Sequence, residues 1–367
     1  MFVLHLEAQI NPYQYSIEKR AVGKLGAVSS AHPLASAVGI EILKKGGNAF
    51  DAAITAQLVL AVVYPQAGNI GGGGFMIAHQ KNGNNICLDF REVAPLKAHK
   101  NMYVDANGKL QPQLSKEGRL SCGVPGTIAG IFEMYKYAKL PFSTLIAPAI
   151  EYAKDGFPIT ERMAKELNAT QAEFLRNNFN ATAFTDNTEW KAGDMLVQPE
   201  LAKTLELIRD KGVKGFYKGK TAKFIVAEMK KGGGIITRKD LKQYKAIYRT
   251  PLTFDYKSHQ LLTMPLPSSG GIILKQLFTM TSQFGIDRLQ FQEPKAIQLV
   301  VEAERRAFAD RSSYMGDPDF IKNDPEKLMN DKYSIHLISN SSPKYYQRLV
   351  YLAKKKSKNF NCCKRNS

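Results

Sequence analysis

A glycine-rich stretch from Tyr64 to Pro95 constrains the fold of this chain more than any other part of its sequence. It contains four consecutive glycines, Gly71 to Gly74, and then two apolar segments joined by Asn82-Gly83. Because Asn-Gly between apolar runs is typical of a hairpin turn, the stretch predicts a glycine loop, a strand, a turn and a second strand. The glycines let the backbone adopt positive φ and approach another chain or ligand closely, since they have no Cβ.

Arg91 follows the second predicted strand, within the sequence Asp-Phe-Arg-Glu. The apolar residues before it, which we expect to be buried, are Ile86, Cys87, Leu88 and Phe90. A guanidinium at the rim of a core can bind a carboxylate through two parallel hydrogen bonds. A structural ion pair with Asp89 or another nearby acid is the alternative, and spacing alone favours it.

Several classes of binding protein find no support in the sequence. A phosphate-binding loop is excluded, because no Gly-x-x-x-x-Gly-Lys-Ser/Thr pattern occurs. A dinucleotide fingerprint is also excluded, because the segment after Gly74 resembles a strand and the fingerprint needs a helix there. The four cysteines and six histidines have no zinc-ligand spacing, so we predict no metal and no cofactor.

The net charge of +18 is unevenly distributed along the chain. From residue 343 onward there are eight Lys and Arg residues and no Asp or Glu. The rest of the excess is scattered, without a basic stripe interleaved with aromatics, so we predict no nucleic-acid binding. The apolar segment 48–63 contains Asp51 and Gln57 and is shorter than the roughly 20 residues of a membrane span, so a buried core helix is expected.

Other local patterns predict helices and a strand in the C-terminal half. Residues 252–264 alternate weakly, as a strand would, and run into Ser268 and Ser269 before a helix that starts near Ile272. These serines are candidate nucleophiles, but no Gly-x-Ser-x-Gly surrounds them, and helix capping is the favoured role. A helix over 294–312 is expected to turn three apolar residues inward, namely Ile297, Val301 and Phe308.

Several long motifs together resemble the γ-glutamyltranspeptidases, also called glutathione hydrolases. The glycine loop GNIGGGGF is followed by LDFREVAP, which contains Arg91. The similarity continues, between about residues 21 and 335, in SSAHPLAS (29–36), GGNAFDAA (46–53), GVPGT (123–127), PSSGG (267–271) and EAERRAFADRSSYMGDPDF (302–320). Motifs of this length and order are far more specific than a single glycine pattern.

The resemblance implies an α/β fold, the four-layer αββα sandwich of N-terminal-nucleophile hydrolases. In that family a precursor cuts itself into a large and a small subunit, and the cut exposes a threonine nucleophile at the start of the small one. The threonine attacks the γ-glutamyl amide of substrates such as glutathione, and the glutamyl group passes to water or to an amino acid or peptide. The large subunit supplies an arginine that binds the substrate α-carboxylate, and Arg91 occupies the matching position.

This chain resembles the large subunit alone, so the sandwich is expected to be incomplete. No threonine follows Thr281, so we expect the catalytic nucleophile to come from a small subunit and the chain to be inactive by itself. The expected organisation is an N-terminal segment (1–20), a large-subunit domain (21–342) and a basic tail (343–367) outside the family pattern. The tail is either a disordered extension or the product of a shifted reading frame.

Two alternatives to an active large subunit stay open on the sequence. One is a truncated, non-catalytic remnant, and the other is a basic binding protein that uses the tail. Family resemblance implies a periplasmic or extracellular location. The first residues lack the basic start and the apolar stretch of roughly 7 to 15 residues of a secretory signal, so retention in the cytoplasm is the alternative.

Overall fold

The computed structural model describes residues 21–339 of the 367-residue chain. The predictions for segments 1–20 and 343–367 therefore lie outside the described residues. The chain divides into two compact units. Of the described residues, the first unit contains 21–75 and 88–247, and the second contains 76–87 and 248–339.

Helices form most of the regular structure between residues 21 and 339. In chain order they are α1 (Pro33–Lys44), α2 (Ala49–Val63), α3 (Thr127–Tyr135), α4 (Phe142–Asp155), α5 (Glu161–Asn177), α6 (Pro199–Lys211), α7 (Val213–Tyr217), α8 (Gly219–Lys231), α9 (Arg238–Gln243), α10 (Gly270–Gln283), α11 (Pro294–Tyr314), α12 (Pro325–Leu328) and α13 (Asp331–Ser339). Over the same residues, no helix is both long enough and apolar enough to cross a membrane.

Over residues 21–339, the strands are short and belong to three small sheets. In chain order they are β1 (Phe75–His79), β2 (Asn85–Asp89), β3 (Phe157–Pro158), β4 (Met195–Leu196), β5 (Ile247–Tyr248), β6 (Leu252–Tyr256) and β7 (His259–Thr263). One sheet has the order β1-β2-β5, and the others are the antiparallel pairs β3-β4 and β6-β7. The single strand predicted over 252–264 is thus a hairpin, whose turn includes Lys257 with positive φ.

The first unit is built around helix α2, which confirms the predicted buried core helix. Most of its apolar residues between Ala52 and Val63 are buried, whereas Ala53 is exposed. At its start, Asn48 and Asp51 form a capping box in which each side chain accepts a backbone N–H of the other residue. The fully buried Asp51 carboxylate also accepts the N–H groups of Lys139 and Leu140. The motif GGNAFDAA therefore fixes the loop between α3 and α4.

The second unit has its own core, formed by α10, α11 and α13. Ala303 and Ala307 of α11 are fully buried there, beside Ile273 and Met280 of α10. The prediction that Ile297, Val301 and Phe308 face inward is wrong, because each is about half exposed, at 52%, 51% and 51%. The small residues of α11 face the core because they allow α10 to pack closely against it.

Candidate functional site

The predicted hairpin is confirmed and it ends at Arg91. Strands β1 and β2 are joined by a turn in which Gly83 has φ of 86°, and the Asn82 side chain accepts the N–H of Asn84. The apolar residues of β2 and Phe90 are buried as predicted. Arg91 itself is exposed. The sequence therefore places a guanidinium at the surface, directly after a buried strand.

Phe90, which is 2% exposed, packs against two glycines. A Cβ on Gly130 of α3 would lie 2.2 Å from Cγ of the Phe90 ring, and a Cβ on Gly74 would lie 2.8 Å from Cε2. Both distances are far below ordinary van der Waals contact. Phe90 also forms reciprocal backbone hydrogen bonds with Gly74, of 3.0 and 3.3 Å. The ring position, and with it the backbone that leads to Arg91, therefore depends on the absence of side chains at these glycines.

The glycine loop itself is needed for close approach and not for unusual backbone conformation. None of Gly71 to Gly74 adopts the positive φ that glycine permits. A Cβ on Gly73 would lie 2.8 Å from Cα of Arg91 and 2.6 Å from the Phe90 carbonyl oxygen. The Gly72 carbonyl accepts the N–H groups of Gly126 and Thr127, at 2.7 and 3.0 Å. The loop thus joins the start of α3 to the backbone at Arg91.

Asn69 connects the same two segments through its side chain. Its Oδ1 accepts the N–H of Gly72 at 2.8 Å and the hydroxyl of Thr127 at 2.7 Å. Thr127 is the first residue of α3, after Gly126, and its hydroxyl contributes to this connection.

The backbone of Arg91 is hydrogen-bonded to two side chains. Its N–H donates to Oδ1 of Asp89 at 3.0 Å, and its carbonyl accepts the hydroxyl of Tyr244 at 2.8 Å. The guanidinium carbon lies 6.0 Å from the centre of the Phe75 ring, within the range of a cation–π contact. The Arg91 side chain thus lies next to an aromatic ring and is exposed to solvent. In this arrangement the guanidinium can bind an anionic group of a small ligand.

Two stacked tyrosines complete the surroundings of Arg91. The rings of Tyr217 and Tyr244 are parallel within 1°, with centroids 5.9 Å apart. Burial raises the pKa of Tyr244 above its ordinary value, and nearby Tyr217, Asp89 and Glu92 raise it further. Burial also raises the pKa of Tyr217. Both hydroxyls are therefore protonated at neutral pH and can donate hydrogen bonds.

The candidate serines lie in the second unit and have structural contacts. Ser269 occupies the N-cap position of α10 but makes no side-chain cap hydrogen bond, so the predicted capping role is wrong. Its hydroxyl instead accepts the Nε–H of Arg311 at 3.0 Å. Across residues 21–339, no group of three or more His, Cys, Asp or Glu side chains could hold a metal ion.

The sequence predicted Arg91 as a candidate site residue but did not predict the residues that contact it. Tyr244 is 153 positions away from Arg91 and Tyr217 lies in another helix, so no local spacing pattern relates them to the arginine. Gly126 of GVPGT and Gly130 in α3 both pack closely, since a Cβ on either would overlap with neighbouring atoms.

Comparison with known proteins gives a consistent picture. The sequence model of the γ-glutamyltranspeptidase family matches residues 35–359, a range that includes part of the predicted basic tail. The glutathione hydrolase proenzyme of Escherichia coli K12 is 43% identical over 330 residues, which cover 88% of this chain and 57% of that protein. The chain thus spans a little over half of the length of the curated relatives it matches.

Two solved structures extend the comparison to the fold. The γ-glutamyltranspeptidase of Helicobacter pylori aligns with a TM-score of 0.84 at 43% identity, over 88% of this chain and 94% of that chain. The enzyme of Pseudomonas nitroreducens, solved in complex with L-DON, aligns with a TM-score of 0.81 at 43% identity, over 88% of this chain and 96% of that chain. These similarities confirm the predicted α/β fold. The chain belongs to the γ-glutamyltranspeptidase family.

Proposed function

We propose that this chain is the large-subunit part of a γ-glutamyltransferase or glutathione hydrolase. The observation that carries the proposal is a difference in coverage. The chain spans 57% of the Escherichia coli proenzyme but 94% of the solved Helicobacter pylori chain. The matched residues therefore correspond to most of one solved polypeptide of the family, which supports a large-subunit role for them.

In this proposal Arg91 binds the α-carboxylate of the γ-glutamyl donor. Its exposed guanidinium, next to the Phe75 ring and after a buried strand, can donate two parallel hydrogen bonds to a carboxylate. A planar, fixed donor also orients the glutamyl chain, so that the γ-amide lies at a defined distance from the arginine. Held in this way, the scissile amide requires little further ordering before attack.

The nucleophile belongs to a small subunit, as the family resemblance implies. Its threonine hydroxyl would attack the γ-carbonyl, with its own α-amino group as the base, and release cysteinylglycine if glutathione is the donor. Water or the amino group of an amino acid or peptide would then take the glutamyl group from the acyl-enzyme. The contribution of this chain is donor binding and orientation. We infer from the same resemblance that the complete enzyme works in the periplasm or outside the cell.

Reconstitution tests this division of labour. The full chain is assayed for hydrolysis of a γ-glutamyl anilide alone and after mixing with the part of the Escherichia coli proenzyme that it does not match. We expect activity only in the mixture. Substantial activity of the chain alone would contradict the assignment of the nucleophile to a second subunit, and no activity in any mixture, despite formation of a complex, would favour a non-catalytic remnant.

Arg91→Lys tests the binding role within the reconstituted enzyme. We expect KM for the donor to rise at least tenfold, because a point charge replaces a two-pronged donor, a difference of about 1.4 kcal/mol or more. The matched control is Arg209→Lys, since Arg209 is a surface arginine that also has a carboxylate neighbour, Asp210, at 2.8 Å. Unchanged kinetics in Arg91→Lys would remove Arg91 from the donor site.

A further inference from the structure

Arg91 lies immediately beyond the end of its β-ladder, where strand pairing no longer supports the backbone. The last reciprocal pair of the hairpin joins Gly74 and Phe90. The next residue, Arg91, therefore obtains its two backbone hydrogen bonds from side chains, from Asp89 on its N–H and from Tyr244 on its carbonyl. Asp89 is only two residues away, whereas Tyr244 comes from a distant part of the chain. The contact with Tyr244 thus attaches Arg91 to a part of the unit that is distant in sequence.

Tyr244 is itself held firmly in place. It ends helix α9, where its N–H donates to the carbonyl of Asp240 at 3.1 Å, and its ring stacks on Tyr217. The Tyr217 hydroxyl donates to the carbonyl of Pro125 at 2.8 Å and accepts the N–H of Ala129 in α3 at 3.3 Å. A hydroxyl presented from this stacked pair has little freedom to move.

The turn before α3 leaves space for this hydroxyl. A Cβ on Gly126 would lie 2.1 Å from the hydroxyl oxygen of Tyr244 and 2.0 Å from the carbonyl oxygen of Phe90. Neither oxygen can move away easily, because the Phe90 carbonyl is hydrogen-bonded within the hairpin and the Tyr244 hydroxyl belongs to the stacked pair of tyrosines. The glycine is thus required for the hydrogen bond between Tyr244 and Arg91 to form.

Helix α9 makes a second attachment to the segment after Arg91. The carboxylate of Asp240, which also closes the capping box with Thr237, accepts the N–H of Leu96 at 2.6 Å. Segment 91–96 is therefore bound to one short helix at both of its ends. The two attachments fix the direction in which the chain leaves β2.

We propose that Tyr244 is a positioning residue for the γ-glutamyl donor, which acts by fixing the backbone of Arg91 and so the direction of its guanidinium. The inference rests on the proposed role of Arg91 in donor binding. The arginine side chain is long, so a backbone rotation of roughly 10° moves its tip by about 1 Å, which is enough to misalign a bidentate contact. Loss of the Tyr244 hydroxyl should therefore weaken donor binding and leave the later acyl transfer to water unaffected.

The positioning role is tested first on the full chain by itself, without reference to catalysis. Hydrogen exchange of segment 91–96 is compared in the wild type and in Tyr244→Phe, which keeps the stacked ring and removes only the hydroxyl. We expect exchange to become about five- to tenfold faster, as loss of one hydrogen bond implies. The matched control is Tyr103→Phe, which removes another tyrosine hydroxyl bonded to a backbone carbonyl, that of Leu120 at 3.4 Å. Unchanged exchange in Tyr244→Phe would overturn the inference.

Kinetics of the reconstituted enzyme provide the second test. We expect Tyr244→Phe to raise KM for the γ-glutamyl anilide about five- to tenfold with kcat within twofold, and to have less than a twofold effect when combined with Arg91→Lys. An equal effect of Tyr244→Phe in both backgrounds would contradict action through Arg91. If Arg91→Lys alone changes nothing, the proposed donor site is wrong, while faster exchange in Tyr244→Phe would still establish the backbone attachment.

Discussion

Replacing Gly130 by alanine tests the packing that places Arg91 at the end of its strand. The new Cβ would lie 2.2 Å from Cγ of Phe90 and 2.6 Å from both Cδ atoms. The Phe90 ring also packs tightly against Gly74, where a Cβ would lie 2.8 Å from Cε2, so the ring cannot move away from Gly130 in that direction. Gly130→Ala should therefore displace Phe90 or move α3 away from the hairpin.

The size of the effect follows from two opposing terms. Alanine gains about 1 kcal/mol over glycine inside a helix, whereas overpacking a buried site costs about 1 to 3 kcal/mol. The overlap with the Phe90 ring is severe, so we expect the upper end of that cost and a net loss of about 2 kcal/mol. The measurement is the free energy of unfolding in urea, from the far-UV circular dichroism of the full chain.

Two further variants make the prediction specific. Gly270→Ala, at the start of α10, meets only Ser268 Oγ at 3.6 Å, an ordinary contact, and should be neutral or slightly stabilising. In the Gly130→Ala background, Phe90→Leu should cost less than it does in the wild type, because a smaller side chain relieves the overlap. If Gly130→Ala proves as stable as the wild type, the packing of Phe90 against α3 is not tight, and the reasoning fails.

Two other predictions concern the first unit. Burial lowers the pKa of His32 in the folded chain to about 4. As the pH falls below about 6.5, His32 is therefore protonated in the unfolded chain before it is protonated in the folded chain. The free energy of unfolding should thus decrease by up to about 3 kcal/mol between pH 6.5 and 4. His32→Asn, which keeps a capping side chain, should abolish this contribution when the free energy of unfolding is measured over the same pH range. Asp51→Asn should cost about 2 to 4 kcal/mol in the free energy of unfolding, because an amide cannot replace a buried carboxylate that accepts backbone N–H groups from Asn48 and from residues 139–140. The exposed Asp186→Asn should leave that free energy unchanged within about 0.5 kcal/mol.

Local sequence patterns predicted the elements whose causes are local. The Asn82-Gly83 turn and the apolar runs around it were enough to predict the hairpin and the position of Arg91. Helix α6 spans Pro199–Lys211, and its limits have a local cause, because Pro199 can start a helix and Gly212 can end one. Signals of this kind act within a few residues, so they can be recognised in a single sequence.

The remaining features depend on neighbours that the sequence does not identify. A glycine can be needed either for positive φ or for close approach of another group, and the sequence does not distinguish the two. The positions of Phe90 and Arg91 in the structure show that close approach is the requirement at Gly73. On α11, an apolar face and a face of small residues have the same helical spacing, and the second of these is buried because α10 packs there. Tyr244 was missed since its partner is a backbone carbonyl, which carries no residue identity.

The hydrogen bond between Arg91 and Tyr244 has a consequence for how the segment around Arg91 folds. The two residues are 153 positions apart, so the hydrogen bond closes a long loop that costs entropy before it yields any stability. The hairpin can form early from local contacts, but the arginine reaches its final orientation only when helix α9 docks. We therefore expect pulse-labelled amides of segment 91–96 to become protected together with those of 237–244, and later than those of the hairpin. Protection of 91–96 at the same time as the hairpin would contradict this order.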